Sequence, residues 1–291
     1  MANYEEFLKR LRYQSDFVLV DRGDLLAQDD DFRVIGTGRV MPDLASGAVR
    51  PTFVGFDTNS LAKAVGDPGF ADDIDQAFEK FQVTRIVPHQ AVIEYWNNFK
   101  SFNNKELNQH FNFMNQLDNS LDRIPELDRF QGLKRELVEP VKELNEALQQ
   151  YGGEKRAETV KPLLDLVVGK TGLVPALHGD EIYQIGRMRF DRKAPPGFED
   201  ADKGTRGLGD FYVWVEFLYG LFRLRPNGAA AEGDSLEWSL FVTDDKKKDW
   251  KPGGSFHPVL LEEALQLTGV PVQIIGFGAF KGLVAKWGNA L

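Results

Sequence analysis

Four short apolar runs punctuate the chain: Thr52–Phe56, Val83–Val87, Leu236–Val242 and Val272–Phe277. Each is bounded by turn-forming or charged residues. Short, continuous apolar runs of this kind read as strands buried on both faces, as in a parallel sheet. Helical periods lie between them, as βαβ units require. The stretch "PHQAVIEYWNNF" (88–99) opens on a proline suited to a first helical turn, and Gln90, Glu94 and Asn97 form a polar stripe along it. The stretch "GLGDFYVWVEFLYGLF" (207–222) is apolar nearly all round and reads as a buried helix, with Gly207 and Gly209 at its start.

The spacing of the runs is uneven. From about residue 98 to about 170 the chain is charged and helical in period. Leu133, Leu137, Val141, Leu144 and Leu148 recur at steps of three and four, and Gly152 and Gly153 end that pattern. A second helix is expected through "AETVKPLLDLVVGKTG". The block is too long for an ordinary crossover, and strands resume after it, so it reads as a helical insertion in an α/β domain. Residues 1–50 read as an N-terminal extension with an acidic run, "QDDDF", and no assigned role.

Composition narrows the chemistry. The 291 residues carry a formal charge of −9, are 42% hydrophobic and include no cysteine. That is enough apolar material for a core. Disulfides and thiolate–metal sites are excluded, and a reducing compartment fits. The start, "MANYEEFLKRLRYQ", is too charged for a signal peptide, and no window reaches the roughly 20 apolar residues of a membrane span. A soluble, cytoplasmic protein without membrane contact is expected. The acidic balance argues against a broad grip on a phosphate backbone. It leaves open a nucleic-acid substrate reached through metal ions.

The carboxylates are placed suggestively. Asp57 follows the first strand, and Asp244 and Asp245 follow "LEWSLFVT". Ligands of open parallel sheets bind at the carboxyl ends of strands. Asp57 also has the chemistry of a turn or an N-cap, and Glu94 that of a solvated face. Asp210, at the start of the buried helix, serves as a capping residue or needs a partner or a metal. Asp244 and Asp245 repel each other unless cations offset them; Lys246, Lys247, Lys248, Lys251 or a divalent ion would do so. Three or four carboxylates gathered at one sheet edge make a hard, oxygen-rich cation site. With no cysteine and only four histidines, the site suits Mg²⁺ or Mn²⁺ better than zinc. Such ions support phosphodiester hydrolysis.

The motifs "FDTNSL" (56–61), "IVPHQAVIEYW" (86–96), "PPGFEDADKG" (195–204), "GLGDFYVWVEF" (207–217), "LFVTDDKKKDW" (240–250) and "HPVLLEEALQLTG" (257–269) follow one another in a specific order. In that order and spacing the chain resembles the PIN-like nucleases, in their larger branch with a helical insertion. The resemblance implies a three-layer, Rossmann-like parallel sheet flanked by helices, spanning residues 51–291. It implies metal-dependent cleavage of RNA, less often of single-stranded DNA, by an endoribonuclease with a toxin, defence or RNA-processing role. Carried over by position, the acidic cluster falls on Asp57, Glu94, Asp210 and Asp245. Thr243 would hydrogen-bond within the site, and Asn59 would support the turn after Asp57. Asp244 stands where many relatives have a neutral residue, and Asp249 would be a further ligand or a support. Asp200 and Lys203 would border the substrate groove.

Lys203, Arg206 and Lys246 are candidate phosphate contacts, although a lysine run equally suits a solvated turn. Trp250, Trp214 and Tyr95 could stack on bases or fill the core. Two rivals are a metal-dependent phosphatase and a non-catalytic binding or scaffold module. Asn59 stands two residues after Asp57, where an aspartyl-phosphate phosphatase needs a second aspartate. A regulatory protein partner or a homo-oligomer is expected through the insertion or the extension.

Overall fold

The computed structural model describes residues 2–15, 34–35, 39–40, 50–98, 116, 120, 137–144, 146–147, 172–177, 179–200, 207–224, 237–252 and 256–289. Two two-residue strands, β1 (Val34–Ile35) and β2 (Arg39–Val40), pair antiparallel. The central sheet has four parallel strands: β3 (Phe53–Phe56), β4 (Thr84–Ile86), β5 (Ser239–Val242) and β6 (Val272–Ile275), in the order β4-β3-β5-β6. All four expected strands are present, shorter than the apolar runs that signal them. Phe277, expected at the end of the last run, instead opens a helix, because its N–H is captured by the Asp244 carboxylate at 2.9 Å.

The helices around the sheet are α1 (Ala2–Tyr13), α2 (Thr58–Gly66), α3 (Pro68–Phe81), α4 (His89–Asn97), α5 (Asp180–Asp191), α6 (Gly209–Leu224), α7 (Pro258–Thr268) and α8 (Phe277–Asn289). Their starts follow capping chemistry. Asp57 caps α2 through the Ser60 N–H at 2.6 Å, and Asp67 caps α3 through the Phe70 N–H at 3.2 Å. His257 accepts from the Val259 N–H at the start of α7, which ends on Gly269 in the left-handed region at φ 68°.

Alternation along β3 separates the two helical layers. Phe56 packs on Phe280 of α8, which also meets Phe70 and Phe78 of α3. The neighbouring Gly55 lies against Phe217 of α6. On that same face Phe241 of β5 meets Phe217, Trp214 and Trp250. The result is a helix–sheet–helix sandwich around one continuous apolar cluster. Trp214, Trp250 and Tyr95 are all buried in it, so they belong to the core and do not form a base-stacking platform.

The helix α1 lies within the stretch read as an extension. Its Phe7, Leu8 and Leu11 are buried in the same cluster, and Phe7 packs on Tyr219 and Phe222 of α6. The first helix is therefore part of the domain's packing. A buried ion pair ties α5 to α7: Arg189 donates to both Glu263 oxygens, at 2.6 and 3.1 Å, and Trp214 donates to Glu263 at 2.8 Å.

Most of the expected insertion lies outside the described residues, including Leu133, Leu148 and the second helix. Residues 137–144 are helical. Of that apolar face Val141 is buried, and Leu137 and Leu144 are exposed. The chain returns at 172–174, where Val87 and Leu173 form a parallel bridge beside β4. Among the described residues, no helix is long and apolar enough to cross a membrane.

Candidate active site

The strand order creates the site. From β3 the chain moves to one side to reach β4, and then returns to the other side of β3 to form β5 and β6. Connections therefore leave β3 and β5 in opposite directions, which opens a crevice at their carboxyl ends. Asp57 immediately follows β3, and Thr243, Asp244 and Asp245 immediately follow β5.

Thr243 links the two strand ends. Its buried hydroxyl donates to Asp57 Oδ2 at 2.5 Å and accepts from the Asp245 N–H at 3.0 Å. The capping reading of Asp57 holds in geometry: Oδ1 caps α2 while Oδ2 faces Thr243. Burial pushes the Asp57 carboxyl up to about 6, against the opposing effect of the Thr243 and Ser60 hydrogen bonds.

Asp210 enters from the first turn of α6. Burial raises it to about 6, opposed by Lys247. Its Oδ2 accepts from Lys247 Nζ at 2.7 Å and from Trp250 Nε1 at 3.4 Å. Glu94 enters from α4 and is held at both oxygens: Thr58 Oγ1 donates to Oε2 at 2.6 Å, and Gln90 Nε2 donates to Oε1 at 2.8 Å. The stripe that could have been a solvated face is thus turned partly inward. Gly209 at the start of α6 leaves room for the Glu94 carboxylate, which sits at the positive end of that helix.

The lysine that reaches this cluster is Lys247. Its ammonium lies 2.7 Å from Asp210, 2.8 Å from Asp200 and 3.3 Å from Asp245. Burial alone would lower its pKa, but Asp210 first, then Asp200 and Asp245, hold it well above the ordinary lysine value. Lys246, the residue singled out in the sequence, is exposed. Three consecutive lysines look alike in sequence. The turn beginning at Lys247, whose N–H bonds Asp245 Oδ1 at 2.8 Å, decides which one faces inward.

Other candidates are placed differently from expectation. Asp244 turns away from the cluster. It pairs with Lys63 of α2 and accepts from Phe277 N, capping α8. Burial pulls its carboxyl up, but these two partners more than offset it and leave it below the usual carboxylate range. Asn59 is exposed in the first turn of α2, and the turn after Asp57 is supported by the Ser60 N–H instead. Asp249 is fully buried. Its Oδ2 accepts from Gly197 N at 2.7 Å and Glu199 N at 3.3 Å, fastening the 197–200 turn that carries Asp200. Its Oδ1 has no partner, and burial raises its pKa. Lys203 and Arg206 lie outside the described residues.

A buried carboxylate next to the start of α4 escaped the sequence reading. Glu216 of α6 is fully buried and accepts from Gln90 N at 2.7 Å and Leu177 N at 3.0 Å. Burial raises it to about 7 despite those bonds. It serves the start of α4, whose own cap residue, Pro88, offers no side-chain hydrogen bond. The signal was a glutamate in the middle of an otherwise apolar helix.

Among the described residues, no group of three or more histidines, aspartates and glutamates encloses a metal ion as it stands. Three carboxylates, Asp200, Asp210 and Asp245, are paired with the Lys247 ammonium. Oxygen donors of this kind are the type a hard cation takes. The Lys247 ammonium lies among carboxylate oxygens from three separate segments.

A family model described as a PIN like domain matches residues 53–255, which include every one of these carboxylates. No curated protein and no solved structure matches the chain.

Proposed function

The chain belongs to the PIN-like domain family, and from that premise we propose that it is a metal-dependent nuclease hydrolysing phosphodiester bonds, of the endoribonuclease type. The observation that carries this reading is the convergence of Asp57, Asp245, Asp210 and Glu94 on the crevice between β3 and β5. They come from two strand ends and two helices.

These four residues would hold Mg²⁺ or Mn²⁺. When bound, such an ion polarises a phosphoryl oxygen and acidifies a water. The chain's own residues do the positioning. Thr243 holds Asp57 and the Asp245 backbone in fixed relation. Thr58 and Gln90 orient Glu94. Trp250 braces Asp210 from the core. The substrate is RNA, with single-stranded DNA as the second choice. Asp200, at the rim, and Lys203 and Arg206, which follow it in sequence, are the proposed border of the substrate groove. Cleavage of this kind serves RNA processing, toxins and defence effectors, where a regulatory protein or self-association restrains it.

The test is cleavage of labelled RNA and single-stranded DNA with Mg²⁺ or Mn²⁺, comparing wild type with Asp57→Asn and Asp245→Asn. Asparagine is as good an N-cap as aspartate, so Asp57→Asn keeps α2 intact while removing the charge. Cleavage should fall about 100-fold or more, since even partners behind metal ligands are worth 10–100-fold. Equal cleavage by wild type and both variants, or none by wild type with either ion, sinks the reading.

A further inference from the structure

We propose that Lys247 is a tethered counter-cation: its ammonium, held by Asp200, neutralises two of the four proposed ligands, Asp210 and Asp245, and ion binding to those ligands expels it. The inference rests on the metal-dependent reading above and adds a regulatory element to that same site.

The geometry separates a fixed backbone from a movable head. The Lys247 N–H bonds Asp245 Oδ1 at 2.8 Å, and its carbonyl accepts from Trp250 N at 3.1 Å and Lys251 N at 2.8 Å. Trp250 is buried and stacked on Phe241. The Cα of Lys247 is therefore anchored to the core. Its side chain is 32% exposed, so the ammonium reaches water by a change of rotamer, with no unfolding of the turn. Such flips are fast. Among the described residues, no other side-chain cation pairs with Asp210 or Asp245.

The competition is balanced by charge on one side and tethering on the other. Three carboxylates around one ammonium still leave two negative charges uncompensated. A divalent ion satisfies the set better and meets the oxygen preference of the site. The ammonium, however, is always present, with the effective concentration of a short tether, in the millimolar range. The site is competent for the ion only in the fraction of molecules whose lysine has swung out, and apparent affinity falls by that fraction. The chain thus stays self-neutralised at low free ion. Loading the ion releases an ammonium with three donors beside the place where a phosphate would bind.

Mn²⁺ binding to the full chain, measured by calorimetry or by the loss of free-ion paramagnetic signal, tests this without any substrate. Lys247→Met should bind Mn²⁺ about tenfold tighter, the factor expected if the lysine fills the site about nine-tenths of the time. Lys248→Met removes the same charge from an exposed neighbour and should stay within about twofold of wild type, because exposed charges are screened. Lys247→Arg should bind no tighter than wild type, since a guanidinium grips carboxylates bidentately. Lys247→Gln repeats the measurement should the methionine variant not fold. Equal or weaker binding by both uncharged variants at 247, or the same gain in Lys248→Met, overturns the inference and leaves the nuclease reading standing. Absence of Mn²⁺ binding in wild type and variants alike overturns both.

Discussion

Gly209 and Glu94 are in such close contact that a Cβ on Gly209 would overlap the Glu94 carboxylate. The obstacle is the far end of a flexible side chain, which can swing away. Gly209→Ala should therefore fold normally. Alanine is favoured over glycine within a helix by roughly 0.5–1 kcal/mol, which offsets part of the local disturbance. The displaced group is a proposed ligand, held by Thr58 and Gln90. Metal-dependent cleavage should fall by about tenfold or more with the melting temperature nearly unchanged. A matching loss of stability and activity would contradict this.

Gly55 offers the opposite case. A Cβ there would overlap the ring of Phe217, and that ring is fenced by Phe241 at 4.8 Å and Trp214 at 5.6 Å between centroids. Nothing flexible can yield. Gly55→Ala should cost about 1–3 kcal/mol or more through overpacking, read as a lowered denaturant midpoint. Wild-type stability in this variant would mean that the β3–α6 packing is looser than the contact implies.

The sheet was legible because parallel strands are apolar on both faces: "FVGF", "SLFV" and "VQII" are almost wholly buried. The positions of Asp57 and Asp245 at the carboxyl ends of β3 and β5 were legible because each closely follows such a run. The inward lysine was not, since local pattern does not distinguish Lys246 from Lys247 and the turn geometry does. Asp244 looked equivalent to Asp245 for the same reason. Its capping of α8 depends on β6 lying next to β5, a long-range fact. Phe7, Leu8 and Leu11 of α1 are buried, but nothing local in the sequence says which surface such a helix covers.

Three carboxyls make the metal-free protein unusual in its response to pH. Burial raises Asp57 and Asp210 from 3.8 to about 6, and Glu216 from 4.5 to about 7. The folded chain thus keeps these protons to higher pH than the unfolded chain does. Their contribution is fully present below about pH 4 and is lost as pH rises to about 7. For Asp57 alone the loss is on the order of 2–3 kcal/mol, at 1.36 kcal/mol per unit. Urea midpoints with a chelator present should fall between pH 5 and 7. Saturating Mn²⁺ should flatten the part due to Asp57 and Asp210, because an ion favours their ionised forms, and leave the Glu216 part. A midpoint rising steadily over that range would show that these carboxyls are not raised.

Thr243 makes the most compact test of how the crevice is held. Its hydroxyl is buried, donates to Asp57 and accepts from Asp245 N. Thr243→Val keeps the shape but leaves an acceptor and a donor unpaired, at a cost of about 1–3 kcal/mol. If Asp57 and Asp245 act together, cleavage should also fall by about 10–100-fold, the range for partners that orient metal ligands. The hydroxyl bond lowers the Asp57 pKa, so its loss should move the acid limb of the pH–rate profile upward. A purely structural role would leave that limb in place. Thr243→Ser, which restores the hydroxyl and loses only a methyl, should recover both rate and profile. Failure of the serine variant to recover the profile would assign the effect to packing and not to the hydrogen bond.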